Sequence, residues 1–96
     1  LAGCGALQRI DHGHAEIKAM RTALGYQRQG VAKALLAFLV DEARRRGHAW
    51  LSLETGATGY FEPARRLYAS SGFVECGPFG DYEDDPNSTY MTMALD

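Results

Sequence analysis

The sequence predicts a mixed α/β domain, because segments with strand periodicity alternate with segments of helical periodicity. Residues 15–22 alternate apolar and polar side chains, residues 31–46 repeat apolar side chains at helical spacing, and residues 49–54 alternate again. A strand, a helix and a second strand in this order favour a right-handed crossover that leaves the two strands parallel. The 96 residues suit one such domain, and no repeat or linker divides them.

The segment before the helix predicts an antiparallel hairpin. Residues 1–10 are apolar and small, and the turn cluster Asp-His-Gly-His separates them from residues 15–22. In the second segment Glu16 and Lys18 face away from Ile17, which predicts a strand that is buried on one side only.

Residues 31–46 give the clearest helical pattern in the chain. Three arginines close this segment and complement the negative end of a helix dipole, and Gly47 suits the position just past the end. The arginine run is therefore explained as a solvated helix end. The predicted apolar stripe consists of Val31, Leu35, Phe38, Leu39 and Ala43.

The rest of the chain predicts a second helix and two more strands. Pro63 suits the first turn of a helix that runs to Gly72. Short strands follow over residues 73–76 and 89–95, and the polar, acidic segment 77–88 between them is predicted to be a loop, most simply a solvated one.

Composition excludes several classes of function. A net charge of -2 gives no basic footprint for nucleic acid. No apolar run is long enough to span a membrane, and no secretory signal is present. The two cysteines are too few for a disulfide framework or a four-ligand zinc site. These observations predict a reduced, cytoplasmic protein without a metal.

The stretch Gln27-Arg28-Gln29-Gly30-Val31-Ala32 stands between the second strand and the first helix. Gly30 can take a backbone conformation closed to other residues and lets a ligand approach the main chain closely. A helix start carries unpaired N–H groups and a partial positive charge, which together suit a phosphate or pyrophosphate. The alternative is an ordinary glycine-containing helix start.

Three patterns in the predicted order of elements resemble the GNAT superfamily of N-acetyltransferases. They are Gln27-x-x-Gly30-x-Ala32, Leu51-x-Leu53-Glu54-Thr55, and Ala64-x-x-Leu67-Tyr68-x-x-x-Gly72-Phe73. The resemblance covers essentially all of residues 1–96. It implies a mixed, mostly antiparallel sheet with a parallel, splayed central pair of strands and helices on both faces.

The same resemblance implies that the family's usual N-terminal strand, two helices and strand precede the region that begins at Leu1. The chain starts inside a strand-like run and without methionine, so we expect a fragment, a processed product or a short reading frame. The missing helices commonly form much of the acceptor side of the site. Apolar surface left without them could be covered by a second copy, which predicts a homodimer.

For the co-substrate, the resemblance implies acetyl-CoA. Its pyrophosphate would lie on backbone N–H groups of the glycine stretch, and its pantetheine arm would pair with the end of the second strand. The residues assigned to the pyrophosphate are Gln27, Arg28, Gln29, Gly30, Val31, Ala32 and the nearby Lys33. The residues assigned to the pantetheine are Met20, Arg21 and Thr22.

The resemblance also supplies candidate catalytic residues. Tyr68 matches the family tyrosine that protonates the departing thiolate, and its phenol is protonated at neutral pH. Its alternative role is aromatic packing. Glu16 is the candidate base, with a solvent-facing or ion-paired strand residue as the alternative, and Glu54 is the second candidate. Where family members often carry an asparagine that contacts CoA, this chain has Phe61.

The predicted function is acetyl transfer from acetyl-CoA to an amine of a small molecule or a peptide, by direct attack in a ternary complex. The acidic residues 80–85 could attract a cationic acceptor. The alternative is a non-catalytic module of the same fold that binds CoA or a partner chain. A nucleotide hydrolase is excluded, because no Lys-Ser/Thr pair follows the glycine stretch.

Overall fold

The computed structural model describes residues 6–18 and 29–95. The chain forms five strands in the order β1-β2-β3-β5-β4, two α-helices and a short 3-10 turn, Gly59–Phe61. The strands are β1 (Ala6–Asp11), β2 (His14–Lys18), β3 (Trp50–Gly56), β4 (Val74–Cys76) and β5 (Ser88–Ala94). The helices are α1 (Gln29–Arg45) and α2 (Glu62–Ser70). The predicted order of elements is confirmed.

The sheet is mixed, as predicted. β1 and β2 form an antiparallel hairpin, β2 and β3 run parallel, and β5 lies antiparallel between β3 and β4. The pairing between β2 and β3 extends only from His14 opposite Trp50 to Glu16 opposite Ser52, although both strands continue. The central parallel pair therefore separates after Glu16.

Glycines end both helices. Gly47 has φ 81°, and the N–H of His48 donates back to the carbonyl of Ala43 at 3.1 Å, which ends α1 as predicted. Gly72 has φ 108°, and the N–H of Phe73 donates to the carbonyl of Tyr68 at 3.1 Å. These left-handed turns aim the chain from each helix into the next strand.

The two faces of the sheet differ in their cover. On the helix face, apolar strand side chains join the buried side chains of α1 and α2 in one core. The strand contribution consists of Ala15, Ile17, Leu51, Leu53, Met91 and Met93. The opposite face, here called the loop face, carries His14, Glu16, Ser52, Tyr90 and Thr92, and residues 77–87 lie over it.

Both helices lie on the helix face for a topological reason. The connections β2–α1–β3 and β3–α2–β4 each join parallel strands and advance across the sheet in the same direction. Right-handed crossovers in one direction place their helices on one face. The predicted helices on both faces are therefore found on one face within residues 6–18 and 29–95, and a loop covers the other.

The apolar stripe of α1 differs from the predicted one. Its buried side chains are Ala32, Leu36, Leu39, Val40 and Ala43. Of the predicted stripe, Leu39 and Ala43 are buried and Leu35 is partly buried, whereas Val31 and Phe38 are exposed, Phe38 by 57%. The prediction for those two residues was wrong. The stripe that packs on the sheet is shifted by one residue along the helix.

Candidate functional site

The N-terminal end of α1 has features that suit an anion. The helix begins at Gln29, its first turn contains no acidic residue, and Lys33 is exposed beside it. A Cβ built on Gly30 meets no atom within 4 Å. The end therefore keeps its partial positive charge without an acidic side chain in its first turn, and the backbone at Gly30 can be approached closely.

The backbone conformation of Gly30 differs from the predicted one. Gly30 lies within the helix and is not among the glycines with positive φ. Its backbone conformation is thus one that other residues adopt, and the prediction of a glycine-only conformation was wrong. What remains is the lack of a side chain in open space, which is the property that close approach of a ligand requires.

Several predicted binding residues lie outside the described residues. These are Met20, Arg21, Thr22, Gln27 and Arg28. Of the others, Gln29, Gly30, Val31 and Lys33 belong to the first turns of α1, where Val31 is 36% exposed, while Ala32 is fully buried in the core.

The separation of β2 and β3 lies at the same edge of the sheet as the start of α1. In a strand–helix–strand unit the helix begins beyond the carboxyl end of the first strand, and parallel strands share that edge. The last paired residues, Glu16 and Ser52, mark where the two strands part. An extended ligand that enters this gap would therefore have its other end near the first N–H groups of α1.

Glu16 lies at this point of separation and is buried, with 5% of its surface exposed. Its Oε2 accepts a hydrogen bond from the Tyr82 hydroxyl at 2.6 Å and forms an ion pair with Lys18 Nζ at 3.5 Å. The prediction that β2 is buried on one side only was wrong, because residues 77–87 cover the face that carries Glu16. Of the alternatives stated for this residue, the ion pair is present and solvent exposure is not.

Tyr82 belongs to an aromatic cluster that fixes the loop to the sheet. Its ring contacts Phe79 and Tyr90 with centroid separations of 5.3 and 5.5 Å, and Phe79 contacts His14 at 5.7 Å. The Tyr90 hydroxyl donates to the carbonyl of Glu83 at 2.9 Å. Sequence reasoning noticed only the acidity of this loop. The aromatic residues within and after it were the signal that it is anchored.

A second group missed from the sequence is a row of hydrogen bonds across three strands. His14 Nε2 lies 2.6 Å from Ser52 Oγ, Ser52 Oγ lies 2.8 Å from Thr92 Oγ1, and Thr92 donates to the carbonyl of Leu51 at 3.4 Å. Each hydroxyl has one proton, so Ser52 donates to Thr92 and His14 donates from Nε2. Burial lowers the pKa of His14, which favours the neutral imidazole, here with its proton on Nε2.

Tyr68 lies in the core rather than on the surface of α2. It is 3% exposed, and its ring meets Phe73 edge to face at a centroid separation of 6.0 Å. Burial raises its pKa to about 12, so the phenol is protonated at neutral pH. The contacts support the packing role directly, and the protonated state is compatible with the predicted role as a proton donor.

Two further predicted positions have simple surroundings. Glu54 is exposed on β3, where its Oε2 accepts a hydrogen bond from the Ser88 hydroxyl at 2.6 Å. The acidic side chains Asp81, Glu83, Asp84 and Asp85 are all exposed, as expected for a solvated loop. Glu54 is thus exposed, whereas Glu16 is buried.

Phe61, at the position of the family asparagine, packs over the end of β3. Its ring fills the space beside Gly56, where a Cβ would come within 2.0 Å of the ring. The guanidinium of Arg65 donates to the carbonyls of Gly56 and Thr58 at 2.6 and 2.9 Å. Phe61 therefore has a packing role that fixes the connection between β3 and α2.

Comparison with known proteins identifies a family. Residues 1–73 match the model of the acetyltransferase (GNAT) family. The chain is 56% identical over 95 residues to the uncharacterised N-acetyltransferase YsnE of Bacillus subtilis strain 168, covering 99% of this chain and 63% of that protein. It is 44% identical over 95 residues to the uncharacterised N-acetyltransferase YedL of Escherichia coli K12, covering 99% of this chain and 60% of that protein.

Solved structures agree with the family match. A proposed acyl-CoA N-acyltransferase from Klebsiella pneumoniae subsp. pneumoniae superposes with a TM-score of 0.86 at 33% identity, covering 99% of this chain and 64% of that one. The chain thus spans about three fifths of the length of the curated relatives that it matches.

Proposed function

The chain belongs to the GNAT family of acetyltransferases, and from this premise we propose that it transfers the acetyl group of acetyl-CoA to a primary amine within a ternary complex. The observation that carries the proposal is the shared edge: the open start of α1 and the gap between β2 and β3 lie at the same side of the sheet. The start of α1 suits a pyrophosphate, and the gap suits the extended pantetheine arm.

In the proposed site, the pyrophosphate of acetyl-CoA lies on N–H groups of residues 27–32, with Lys33 nearby. The pantetheine lies along residues 20–22, and the thioester reaches the gap beyond Glu16. This arrangement uses backbone groups for binding, because the helix start supplies donors that need no reorganisation. Gly30 leaves the space that the phosphates require.

The proposed chemistry needs one proton removed and one supplied. The acceptor nitrogen, as a neutral amine, attacks the thioester carbonyl carbon; the carbon–sulfur bond breaks, and the amide forms. Glu16 takes a proton from the acceptor, with Glu54 as the second candidate, and Tyr68 gives a proton to the sulfur of CoA. A Tyr68 pKa of about 12 means that the phenol is protonated at neutral pH, as a proton donor must be.

The first experiment measures acetyl-CoA binding by titration calorimetry. Gly30→Val is expected to weaken binding at least about tenfold, or about 1.4 kcal/mol, because its side chain occupies the space left for the phosphates. The variant should fold, since a Cβ at Gly30 meets no other atom. Gly77→Val is the matched control, because Gly77 also lies in open space but far along the chain from α1.

The second experiment separates an enzyme from a binding module. Release of free CoA thiol is followed with a short basic peptide that has a free amino terminus, and separately with spermidine. Amine-dependent release that falls in Tyr68→Phe supports the enzyme. Acetyl-CoA binding without amine-dependent release would favour the non-catalytic alternative, and no binding by the folded chain would reject both.

Two further predictions belong to the whole protein. We propose a homodimer, which sedimentation at several concentrations would test. We also propose a cytoplasmic location; within the described part of the chain, no helix combines the length and apolar character needed to cross a bilayer.

A further inference from the structure

Tyr82 links the loop face to the proposed base. Its hydroxyl has a single proton, which it donates to Glu16 Oε2 at 2.6 Å, and it accepts a hydrogen bond from Lys18 Nζ at 3.3 Å. Lys18 Nζ also lies 3.5 Å from the same carboxylate oxygen and 5.6 Å from the centre of the Tyr82 ring. Three side chains from two distant segments thus meet at the point where β2 and β3 part.

We propose that Tyr82 is a positioning residue for acetyl transfer, which holds the Glu16 carboxylate ionised and oriented at the gap between β2 and β3. The inference rests on the proposed function. Both described contacts of Glu16 go to Oε2, so Oε1 is the oxygen left to accept the proton of the acceptor amine. Tyr82 itself keeps its proton throughout.

The need for such a residue follows from burial. A carboxylate that is 5% exposed has lost most of its hydration, and a buried polar group needs hydrogen-bond donors that replace the water. A charge-assisted hydrogen bond of 2.6 Å from a phenol is a strong replacement. Lys18 adds a positive charge, but its side chain is 44% exposed and its attraction is screened by solvent.

The loop that carries Tyr82 is fixed well enough to position a second group. Phe79 and Tyr90 hold the Tyr82 ring from two sides, and Tyr90 ties the same loop through the carbonyl of Glu83. The hydrogen bond to Glu16 is the first cause of the raised pKa of Tyr82, consistent with a phenol proton committed to the carboxylate. The loop therefore brings a donor rather than another base.

The other groups around Glu16 set what the experiment must control. Its partner on β1, Gln8, is uncharged. The titratable side chains on the loop face near it are His14 and Lys18 of β2, Glu54 of β3, Tyr90 of β5 and Tyr82 itself. Tyr90→Phe is the matched control for Tyr82→Phe, because it deletes one hydroxyl of the same cluster without touching Glu16.

The test combines kinetics and a direct titration. The pH dependence of kcat/KM is measured for the unmodified chain, Tyr82→Phe, Lys18→Met and Tyr90→Phe, with whichever of the basic peptide and spermidine is acetylated. In parallel, the carboxyl carbon of Glu16 is titrated by NMR and assigned with Glu16→Gln. Tyr82→Phe is expected to move the acidic limb of kcat/KM to higher pH, because the carboxylate of the base loses its strongest donor.

The shift is expected to be largest in Tyr82→Phe and smaller in Lys18→Met, and Tyr90→Phe is expected to show none. Equal behaviour of the two tyrosine variants would overturn the inference and reduce Tyr82 to a packing residue. A shifted NMR titration with an unshifted rate profile would also overturn it, while leaving acetyl transfer intact. Absence of acetylation by the folded, unmodified chain would instead reject the proposed function, so the two failures are distinguishable.

Discussion

The helix face and the loop face of the sheet solve burial in different ways. On the helix face, the side chains of the core cluster are apolar, and close packing explains their arrangement. On the loop face, the covered side chains are polar and each has a named partner, as in the row from His14 through Ser52 to Thr92. In the described residues, no fully buried side-chain polar atom lacks a hydrogen bond.

The difference indicates which face holds a buried charged group. Apolar packing tolerates small changes in position, whereas a buried carboxylate such as Glu16 is stable only with donors at fixed places. A fold that needed stability alone would gain little from such a group. The loop face is therefore where substitutions should alter protonation, and the helix face is where they should alter stability.

The largest effect is expected in the helix-face core. Leu36→Ala should lower the free energy of unfolding by about 2–5 kcal/mol, because Leu36 is fully buried and its loss leaves a cavity. Phe38→Ala is the matched control on the same helix; it is 57% exposed and should change stability by no more than about 0.5 kcal/mol. Urea denaturation of both variants would decide, and equal losses would restore the stripe predicted from the sequence.

That stripe shows where sequence reasoning reaches its limit. Helical periodicity fixed the existence of α1, but residues 35–40 are apolar at nearly every position, so two stripes one residue apart fit equally well. The sheet selects the one that contains Leu36 and Val40. Tertiary contacts decide which side of α1 is buried, and the local pattern does not specify it.

The loop face shows a second limit. Alternation in β2 indicated that Glu16 and Ile17 lie on opposite faces, which is correct, but it predicted that only one of the two faces is buried. The cover comes from Tyr82, 66 residues further along the chain. The order of elements along the chain, the hairpin and both helix ends follow from local patterns, whereas a contact of this separation does not.

The next effect tests the packing of Phe61 against the end of β3. Gly56→Ala should lower the free energy of unfolding by about 1–3 kcal/mol, because its Cβ would lie 2.0 Å from the Phe61 ring. The same change made in a Phe61→Ala background should cost much less. A double-mutant cycle by denaturation measures this coupling, and additive losses would rule out the contact.

A smaller effect is expected from the hydrogen-bonded row. Ser52→Ala should lower the free energy of unfolding by about 1–2 kcal/mol, because it leaves His14 and Thr92 without their shared partner in a site that is 1% exposed. Ser70→Ala, whose hydroxyl bonds only the exposed end of α2, should cost no more than about 0.5 kcal/mol. Equal costs would mean that water replaces the lost partner on the loop face.

The smallest effect is a pH dependence near neutrality that arises from His14 on the loop face. Burial lowers the pKa of His14, opposed by Asp11 and Glu16 and assisted by His48. Because the unfolded chain then binds a proton more readily than the folded one, this group's contribution is complete above the ordinary pKa of about 6.5 and is lost as the pH falls from there through the lowered pKa of the folded state. The melting temperature should therefore fall more between pH 8 and pH 5 for the unmodified chain than for His14→Gln, which keeps an amide near Ser52. If the melting temperatures of the two chains fall equally, protonation of His14 does not change the stability of the fold, and the loop face is polar without being sensitive to charge at that position.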